Sequence, residues 1–214
     1  MYRKFIIALS IACVTSAGAL ASGGEDALNA WLERQEATER WSASVVQERT
    51  MPALAMPLES PGKVWFERPG RFRWELGEPA RTIAVREGNH LLVAYPRLDR
   101  LERYADSGPE ETTLRLALAL LEVGLPTSAE DFHARYRLVS ATREAASWWF
   151  ELAPMDAAVE QMIERLHVEV DGEDYRLLTT EIAFEDGSIL RNRFSDHRLN
   201  PELDDELFRL EDPP

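Results

Sequence analysis

Short stretches in which apolar and polar residues alternate occupy most of the chain, and they predict a β-rich fold. The clearest is RFRWEL, residues 71–76, whose two aromatic residues and leucine point to one face of a strand while its charged residues point to the other. Turn-forming pairs such as Pro69-Gly70 and Asp186-Gly187 separate the stretches. Strands are predicted at residues 41–50, 63–67, 71–76, 81–86, 90–95, 98–104, 136–143, 147–153, 165–171, 175–185 and 188–195.

Three segments have helical spacing instead. Residues 25–41 carry apolar side chains at intervals of three and four, and residues 156–163 form a shorter stretch of the same kind. In residues 111–125 leucines cover most of the circumference, so this helix must be covered on two sides before Gly124 and Pro126 end it. These elements predict one large, curved antiparallel sheet of about ten strands, with helices over its concave side.

The first residues have the pattern of a secretory signal peptide. A basic start, residues 1–4, precedes an apolar run, residues 5–14, and small residues lead up to Ala21. We expect export to the periplasm, cleavage after Ala21, and a single mature domain over residues 22–214.

Cys13 allows an alternative, a lipoprotein signal in which the thiol carries the lipid anchor. Ser10 stands where such a signal usually has leucine, and the apolar run before Cys13 is short, so the cleaved leader is favoured. Cys13 is the single cysteine, and with the leader removed no thiol chemistry would remain.

The chain is strongly acidic. Its formal net charge is −14, which becomes −16 once Arg3 and Lys4 leave with the leader. This charge argues against nucleic acid and against anionic lipid headgroups as partners, and it favours a freely diffusing monomer whose partners present basic patches.

The sequence contains no arrangement of residues that points to catalysis. The four histidines lack metal-site spacing, and no nucleophile elbow or phosphate-binding glycine loop occurs. Ser195-Asp196-His197 has the residue types of a catalytic triad, but neighbours in an extended segment point apart. We therefore predict no catalytic residue, no metal and no cofactor, and a protein that is not an enzyme.

The segment GKVWFERPGRFRWEL, residues 62–76, joins an aromatic-ended strand, an Arg-Pro pair and a strand with alternating aromatics. It resembles the outer-membrane lipoprotein carrier family, the LolA-type periplasmic chaperones, and residues 83–96 and 194–214 continue the resemblance. The positions that match in the central motif are Trp65, Arg68, Pro69, Phe72 and Trp74.

The resemblance implies a fold and a function. The family fold is an incomplete antiparallel β-barrel of about eleven strands, capped by a lid of short α-helices. Its members take acylated lipoproteins from an inner-membrane ATP-driven transporter to an outer-membrane acceptor, and they hide the acyl chains in the apolar concavity. Phe72 and Trp74 match residues that line this cavity, and Arg68 matches an arginine that holds the lid shut.

The residues themselves are consistent with these roles. Alternation adds three apolar neighbours, so that the predicted acyl cavity consists of Val64, Phe66, Phe72, Trp74 and Leu76. The leucines of the apolar helix, Leu114, Leu118 and Leu121, are predicted to form the lid. Arg68 would need carbonyl or carboxylate partners there; the alternative is an arginine that extends to solvent.

The sequence also allows other interpretations. The same cavity could carry another envelope lipid or a glycolipid. A different class is the lipoprotein-sensing domain of an envelope regulator. Such regulators usually have a second domain. MPALAMPL, residues 51–58, is predicted as an apolar loop that either contacts a membrane or a partner or packs over the sheet edge.

Overall fold

The computed structural model describes residues 17–88, 90–105 and 121–210. Eleven strands form one open, curved antiparallel sheet in the spatial order β6-β5-β4-β3-β2-β1-β11-β10-β9-β8-β7. The strands are β1 (Arg40–Thr50), β2 (Leu58–Glu67), β3 (Arg71–Leu76), β4 (Thr82–Glu87), β5 (His90–Tyr95), β6 (Arg100–Ala105), β7 (Tyr136–Glu144), β8 (Ser147–Pro154), β9 (Ile163–Asp171), β10 (Leu177–Phe184) and β11 (Ile189–Leu199).

The strand order follows from two meanders that meet at the centre of the sheet. The first runs outward from β1 to the edge strand β6, and the second runs inward from the other edge strand, β7, to β11. β11 then pairs with β1, with Val45 opposite Phe194. The predicted mainly-β fold, an incomplete antiparallel barrel of 10–11 strands with few helices, is confirmed by this eleven-stranded sheet.

The helices are α1 (Ala17–Ala37), α2 (Ala129–Arg135) and α3 (Ala157–Glu160), with 3₁₀ turns at Pro96–Leu98 and Asp205–Phe208. α1 buries Leu28, Trp31 and Leu32 against the inner face of the sheet. The Trp31 ring stacks on Phe150 of β8 at 6.0 Å and meets Phe132 of α2 edge-on at 5.6 Å. Within the described ranges, no helix is both long enough and apolar enough to span a membrane.

The first helix ends earlier than its apolar spacing predicts. α1 stops at Ala37, and the Thr38 hydroxyl donates to the Arg34 carbonyl oxygen at 2.9 Å, which satisfies one of the free carbonyls at the helix end. Trp41, where the predicted helix (residues 25–41) and the predicted strand (residues 41–50) overlap, belongs to β1 and pairs with Phe66 of β2. Pairing with β2 therefore decides its conformation.

β2 is longer than predicted, because it starts at Leu58 rather than at residue 63 and includes Pro61. A proline usually interrupts an inner strand, since it has no N–H to donate. Here β3 ends at Leu76, opposite Gly62, so Pro61 pairs only with β1, and its carbonyl accepts from Gly77 N at 2.6 Å. The loop between β1 and β2 consequently covers residues 51–57.

The sequence patterns did not predict α2. Of its seven residues only Phe132 is buried, so apolar side chains do not recur at the helical spacing that would reveal a helix in the sequence. The helix instead begins at an N-cap, where Ser128 Oγ accepts from Asp131 N at 3.0 Å and acidic residues occupy the first turn. The Ser-x-x-Asp spacing of this N-cap is the sequence feature that could have predicted the helix.

The outer face of β3 is less exposed to solvent than the alternation in residues 71–76 predicts. The C-terminal 3₁₀ turn packs over it: the Arg71 guanidinium lies 4.5 Å from the centre of the Phe208 ring, and Arg73 Nη1 donates to the Leu207 carbonyl at 3.0 Å. Phe208 is fully buried. The long stems of the two arginines thus form part of a small outer core.

Candidate functional site

The five residues predicted to form an acyl cavity lie together on the inner face of β2 and β3. The register places Val64 beside Trp74 and Phe66 beside Phe72, and each of these four is at most 2% exposed. Leu76, opposite Gly62, is partly buried against the same core. The predicted alternation is confirmed, and contact of these side chains with an acyl chain stays a prediction.

An aromatic cluster extends this inner face toward the centre of the sheet. The Trp41 ring lies 6.2 Å from Phe66 and 6.4 Å from Phe194, and Phe194 meets Trp74 edge-on at 5.7 Å. Edge-to-face aromatic pairs contribute about 0.5–1.5 kcal/mol beyond the burial of their surface. The inner face is therefore apolar across four adjacent strands.

Residues 121–128, here called the covering segment, cross this inner face. Val123 and Leu125 are buried, and a Cβ at Gly124 would lie 2.7 Å from Leu177 Cδ2 of β10, so the segment touches the sheet closely. At its other end Thr127 lies against Gly70 in the β2–β3 turn. Of the predicted lid residues, Leu121 is partly buried in this segment, and Leu114 and Leu118 lie outside the described residues.

A charged cluster attaches the covering segment to the sheet and to α2. Glu122 is only 5% exposed, and its two carboxylate oxygens pair with Arg86 of β4 and with Arg135 of α2, the latter at 2.6 Å. Arg135 also pairs with Asp131, which accepts from the Thr127 hydroxyl at 2.8 Å. The sequence analysis did not predict this cluster. Glu122, an acidic residue near the end of the apolar segment 111–125, was the feature that could have indicated a buried ion pair.

A cavity of about 680 Å³ opens beside this cluster. Its size falls within the roughly 300–1,000 Å³ that is usual for small-molecule sites. The side chains around it are mixed, with apolar groups such as Val159 and Met155 next to the paired charges. The lining residues include Pro69, Gly70, Arg71, Arg86, Glu122, Thr127, Asp131, Ala134, Arg135, Tyr136, Pro154, Met155, Asp156 and Val159.

Arg68, the predicted lid latch, lies in the β2–β3 turn next to this cavity. Its backbone N–H donates to the Glu39 carbonyl at 2.9 Å. Its Nη1 atom is buried, and among the described residues it has no hydrogen-bond partner. A buried, unpaired guanidinium N–H is costly, so this atom is available to an acceptor on a ligand or on a moving segment. The latch role itself stays a prediction.

The Ser195-Asp196-His197 segment holds no catalytic arrangement in the part of the chain that the structure describes. Asp196 has a φ of +53° at a bulge opposite β1, and the Ser195 hydroxyl donates to the Asp196 carboxylate, at 3.4 Å, rather than to His197. The His197 ring stacks on Trp41 at 6.2 Å, and its Nε2 atom is buried without a described partner. No group of three metal-ligating side chains occurs among the residues described.

Burial of His197 predicts a pH dependence of stability. Desolvation lowers the pKa of His197 below its ordinary 6.5, and a hydrogen bond with the Leu177 backbone opposes this only partly. Because the unfolded chain then binds more protons, the free energy of unfolding is expected to fall as the pH drops below about 6.5. The His197→Phe variant should show a smaller difference between urea midpoints measured at about pH 7.5 and about pH 5.5.

The control for this experiment is His90→Phe, at an exposed position at the start of β5, which should keep the wild-type difference. His167 also has its pKa lowered by burial, so part of the pH dependence should survive in the His197 variant. An unchanged midpoint difference in His197→Phe would contradict the prediction.

Comparison with known proteins agrees with the geometry. Residues 36–211 match the family profile described as outer membrane lipoprotein carrier protein LolA. The outer-membrane lipoprotein carrier protein of Chromohalobacter salexigens is 26% identical over 192 residues, which is 90% of this chain and 84% of the relative. The corresponding protein of Bordetella avium is 32% identical over 103 residues, 46% of each chain.

A solved structure supports the fold alone. An uncharacterized conserved protein from Thermus thermophilus superimposes with a TM-score of 0.51 at 13% identity, covering 88% of this chain and 94% of that one. The resemblance inferred from residues 62–76 is confirmed by the family match, which covers the sheet, the covering segment and the C-terminal turn. The chain therefore belongs to the LolA family of outer membrane lipoprotein carrier proteins, whose members are carriers and not enzymes.

Proposed function

We propose that this protein is a periplasmic monomer that shields the acyl chains of lipoproteins and moves them from the inner to the outer membrane. The observation that carries this proposal is an apolar inner face crossed by the covering segment, whose Glu122 pairs with Arg86 and Arg135, beside a cavity of about 680 Å³. Residues 1–21 would be removed as a signal peptide, which leaves residues 22–214 as the carrier domain. An inner-membrane ATP-driven transporter would supply the cargo, and an outer-membrane acceptor would receive it.

The energetics of the cargo explain why such a carrier is needed. Each acyl CH₂ that leaves water contributes about 0.8 kcal/mol, so an exposed lipid tail cannot cross an aqueous compartment at a useful rate. A carrier must hide most of that surface and still release it. The inner face supplies the apolar surface from β1 to β3, where Trp41, Phe66, Phe72 and Trp74 are buried together.

The covering segment is the part that would move. Val123 and Leu125 occupy the inner face where cargo would bind, so loading requires the segment to shift. Hydrogen bonds to charged groups contribute about 1.5–3 kcal/mol each, so the contacts of Glu122 with Arg86 and Arg135 can hold the segment closed and still yield to a lipid. The buried Nη1 of Arg68 would bind an acceptor on the lid or the cargo during this exchange.

Site-specific photo-crosslinking tests the proposal. Trp74 points to the inner face and Trp65, on the neighbouring strand, points to the outer face together with Arg73. Each tryptophan is replaced in turn by a photoreactive aromatic residue, and living cells are irradiated. We expect acylated lipoproteins to crosslink to position 74 at least about tenfold more than to position 65, because the acyl chains would lie against the apolar inner face.

Both substitutions exchange one aromatic ring for another, which keeps the volume change similar at the two positions. Lipid extraction and mass spectrometry of the crosslinked product identify the cargo. Equal crosslinking at the two positions would reject the carrier function. So would a result in which position 74 crosslinks only to proteins that have no acyl chains.

A further inference from the structure

The loop between β1 and β2, together with Leu58 at the start of β2, presents a continuous apolar surface to solvent. Residues 51–58, MPALAMPL, contain no side chain that can donate or accept a strong hydrogen bond. Leu54 is 40% exposed, Met56 76% and Leu58 53%. In a chain of this charge, three neighbouring exposed aliphatic side chains are unusual and indicate an interaction site.

This loop lies beside other connections on the same edge of the sheet. A Cβ at Gly187, in the β10–β11 turn, would lie 3.3 Å from Pro52 Cγ. The same turn is joined to the β8–β9 connection by the bond from Glu185 N to the Met162 carbonyl at 3.2 Å. Met162 is itself 41% exposed, so the apolar edge extends beyond the loop.

The loop is held in shape by local features. Leu54 N donates to the Met51 carbonyl at 3.0 Å, which closes a turn, and Pro52 and Pro57 restrict the backbone on either side. A restricted loop loses little conformational entropy when its side chains become buried. Its shape is therefore suited to insertion without further folding.

The chemistry of the loop fits lipid better than protein. Protein interfaces form about one hydrogen bond per 100–200 Å² and rely on Trp, Tyr and Arg as their main anchors. The loop has none of these residues, and its Leu, Met, Ala and Pro side chains need no polar partner. Shallow insertion of such side chains below the headgroups gains free energy from apolar burial alone.

The charge of the protein indicates which kind of lipid surface the loop would bind. The net charge of −14 opposes anionic membranes, whereas the charges that flank the loop, Arg49 and Glu59, cancel. Further along the same edge Glu48 and Glu59 are paired with Arg193, at 3.2 and 3.6 Å. We propose that residues 51–58 form a docking loop for a zwitterionic lipid bilayer surface.

This inference goes beyond the proposed function and does not depend on cargo, since docking by the loop needs only the closed, unloaded protein. The test uses protein isolated from the periplasm, with its N-terminus determined by mass spectrometry so that the apolar leader cannot contribute. The probe is flotation with vesicles of phosphatidylcholine and phosphatidylethanolamine.

Wild-type protein should float with these vesicles, and the double variant Leu54→Ser, Met56→Ser should bind at least about tenfold more weakly, because several CH₂ groups no longer insert. The matched control is Val139→Ser, which removes an exposed apolar side chain from the edge strand β7 and should leave binding unchanged. Adding anionic lipid should weaken wild-type binding at low salt, and high salt should restore it.

A second measurement reports the loop directly. Met56→Cys, made with Cys13→Ser, carries an environment-sensitive fluorophore whose emission should shift to the blue with zwitterionic vesicles, and the same label at Val139→Cys should not shift. Absence of flotation by the wild type, equal flotation of the double variant, or an unshifted label at position 56 would each overturn the proposal. Crosslinking experiments on cargo test the carrier function separately, so the two can fail independently.

Discussion

Replacement of Trp31 with alanine is expected to lower the free energy of unfolding by about 4 kcal/mol, the middle of the range for buried aromatic residues. Trp31 is fully buried and joins three elements, since its ring contacts Phe132 of α2 and Phe150 of β8 from within α1. Truncation would leave a cavity at the point where α1 packs on the sheet. Urea unfolding should show a lower midpoint, and an unchanged slope would indicate that the overall packing is retained.

Two variants make this measurement specific. Trp31→Phe keeps most of the ring and removes the indole N–H, which is buried without a partner among the described residues, so its loss should stay below about 2 kcal/mol. Trp65→Ala removes a ring of the same size from the outer face and should cost about 1 kcal/mol. A loss for Trp31→Ala no larger than for Trp65→Ala would show that α1 does not anchor the fold.

The Glu122→Gln variant is expected to open the covering segment about tenfold more readily, which corresponds to about 1.4 kcal/mol. Glutamine preserves the size of the side chain but leaves Arg86 and Arg135 facing a neutral group. The penalty for breaking a fully buried pair would be larger, about 3–5 kcal/mol, but the two arginines are 25% and 31% exposed and solvent screens them. Amide hydrogen exchange of residues 121–128 measures the opening, and release of bound lipid should accelerate in parallel.

Glu181→Gln is the control, because Glu181 pairs with Arg191 on the face of β10 and β11 opposite to the one that Gly124 of the covering segment contacts. It should leave hydrogen exchange of residues 121–128 at the wild-type rate. If Glu122→Gln also exchanges at the wild-type rate, the charged cluster does not hold the segment closed.

Strands were predictable where the side-chain alternation itself limits them. β3 and β5 have the predicted bounds, residues 71–76 and 90–95, because each ends at a turn pair that interrupts the alternation. Boundaries failed where a pairing partner decides the conformation. The helix predicted over residues 25–41 ends at Ala37 because Trp41 pairs with Phe66 in β1, and β2 continues through Pro61 because β3 stops short of it.

The two parts of the candidate site differ in the same way. The inner-face residues from Val64 to Leu76 could be grouped from sequence, because strand alternation and a tight turn determine which side chains share a face. The charged cluster could not be grouped, since Arg86, Glu122 and Arg135 come from three separate elements whose relative placement no local pattern sets. Ordinary surface arginines look the same in sequence as these two.

By itself, the sequence determined the class of fold, the apolar face of β2 and β3, and the family, because these depend on the order of neighbouring residues. Only the tertiary structure decided that Glu122 lies between two arginines, that Phe208 covers the outer face of β3, and that Pro52 lies beside Gly187. Such contacts join residues from distant segments. They depend on the curvature of the whole sheet and on the paths of its connections, which no local pattern specifies.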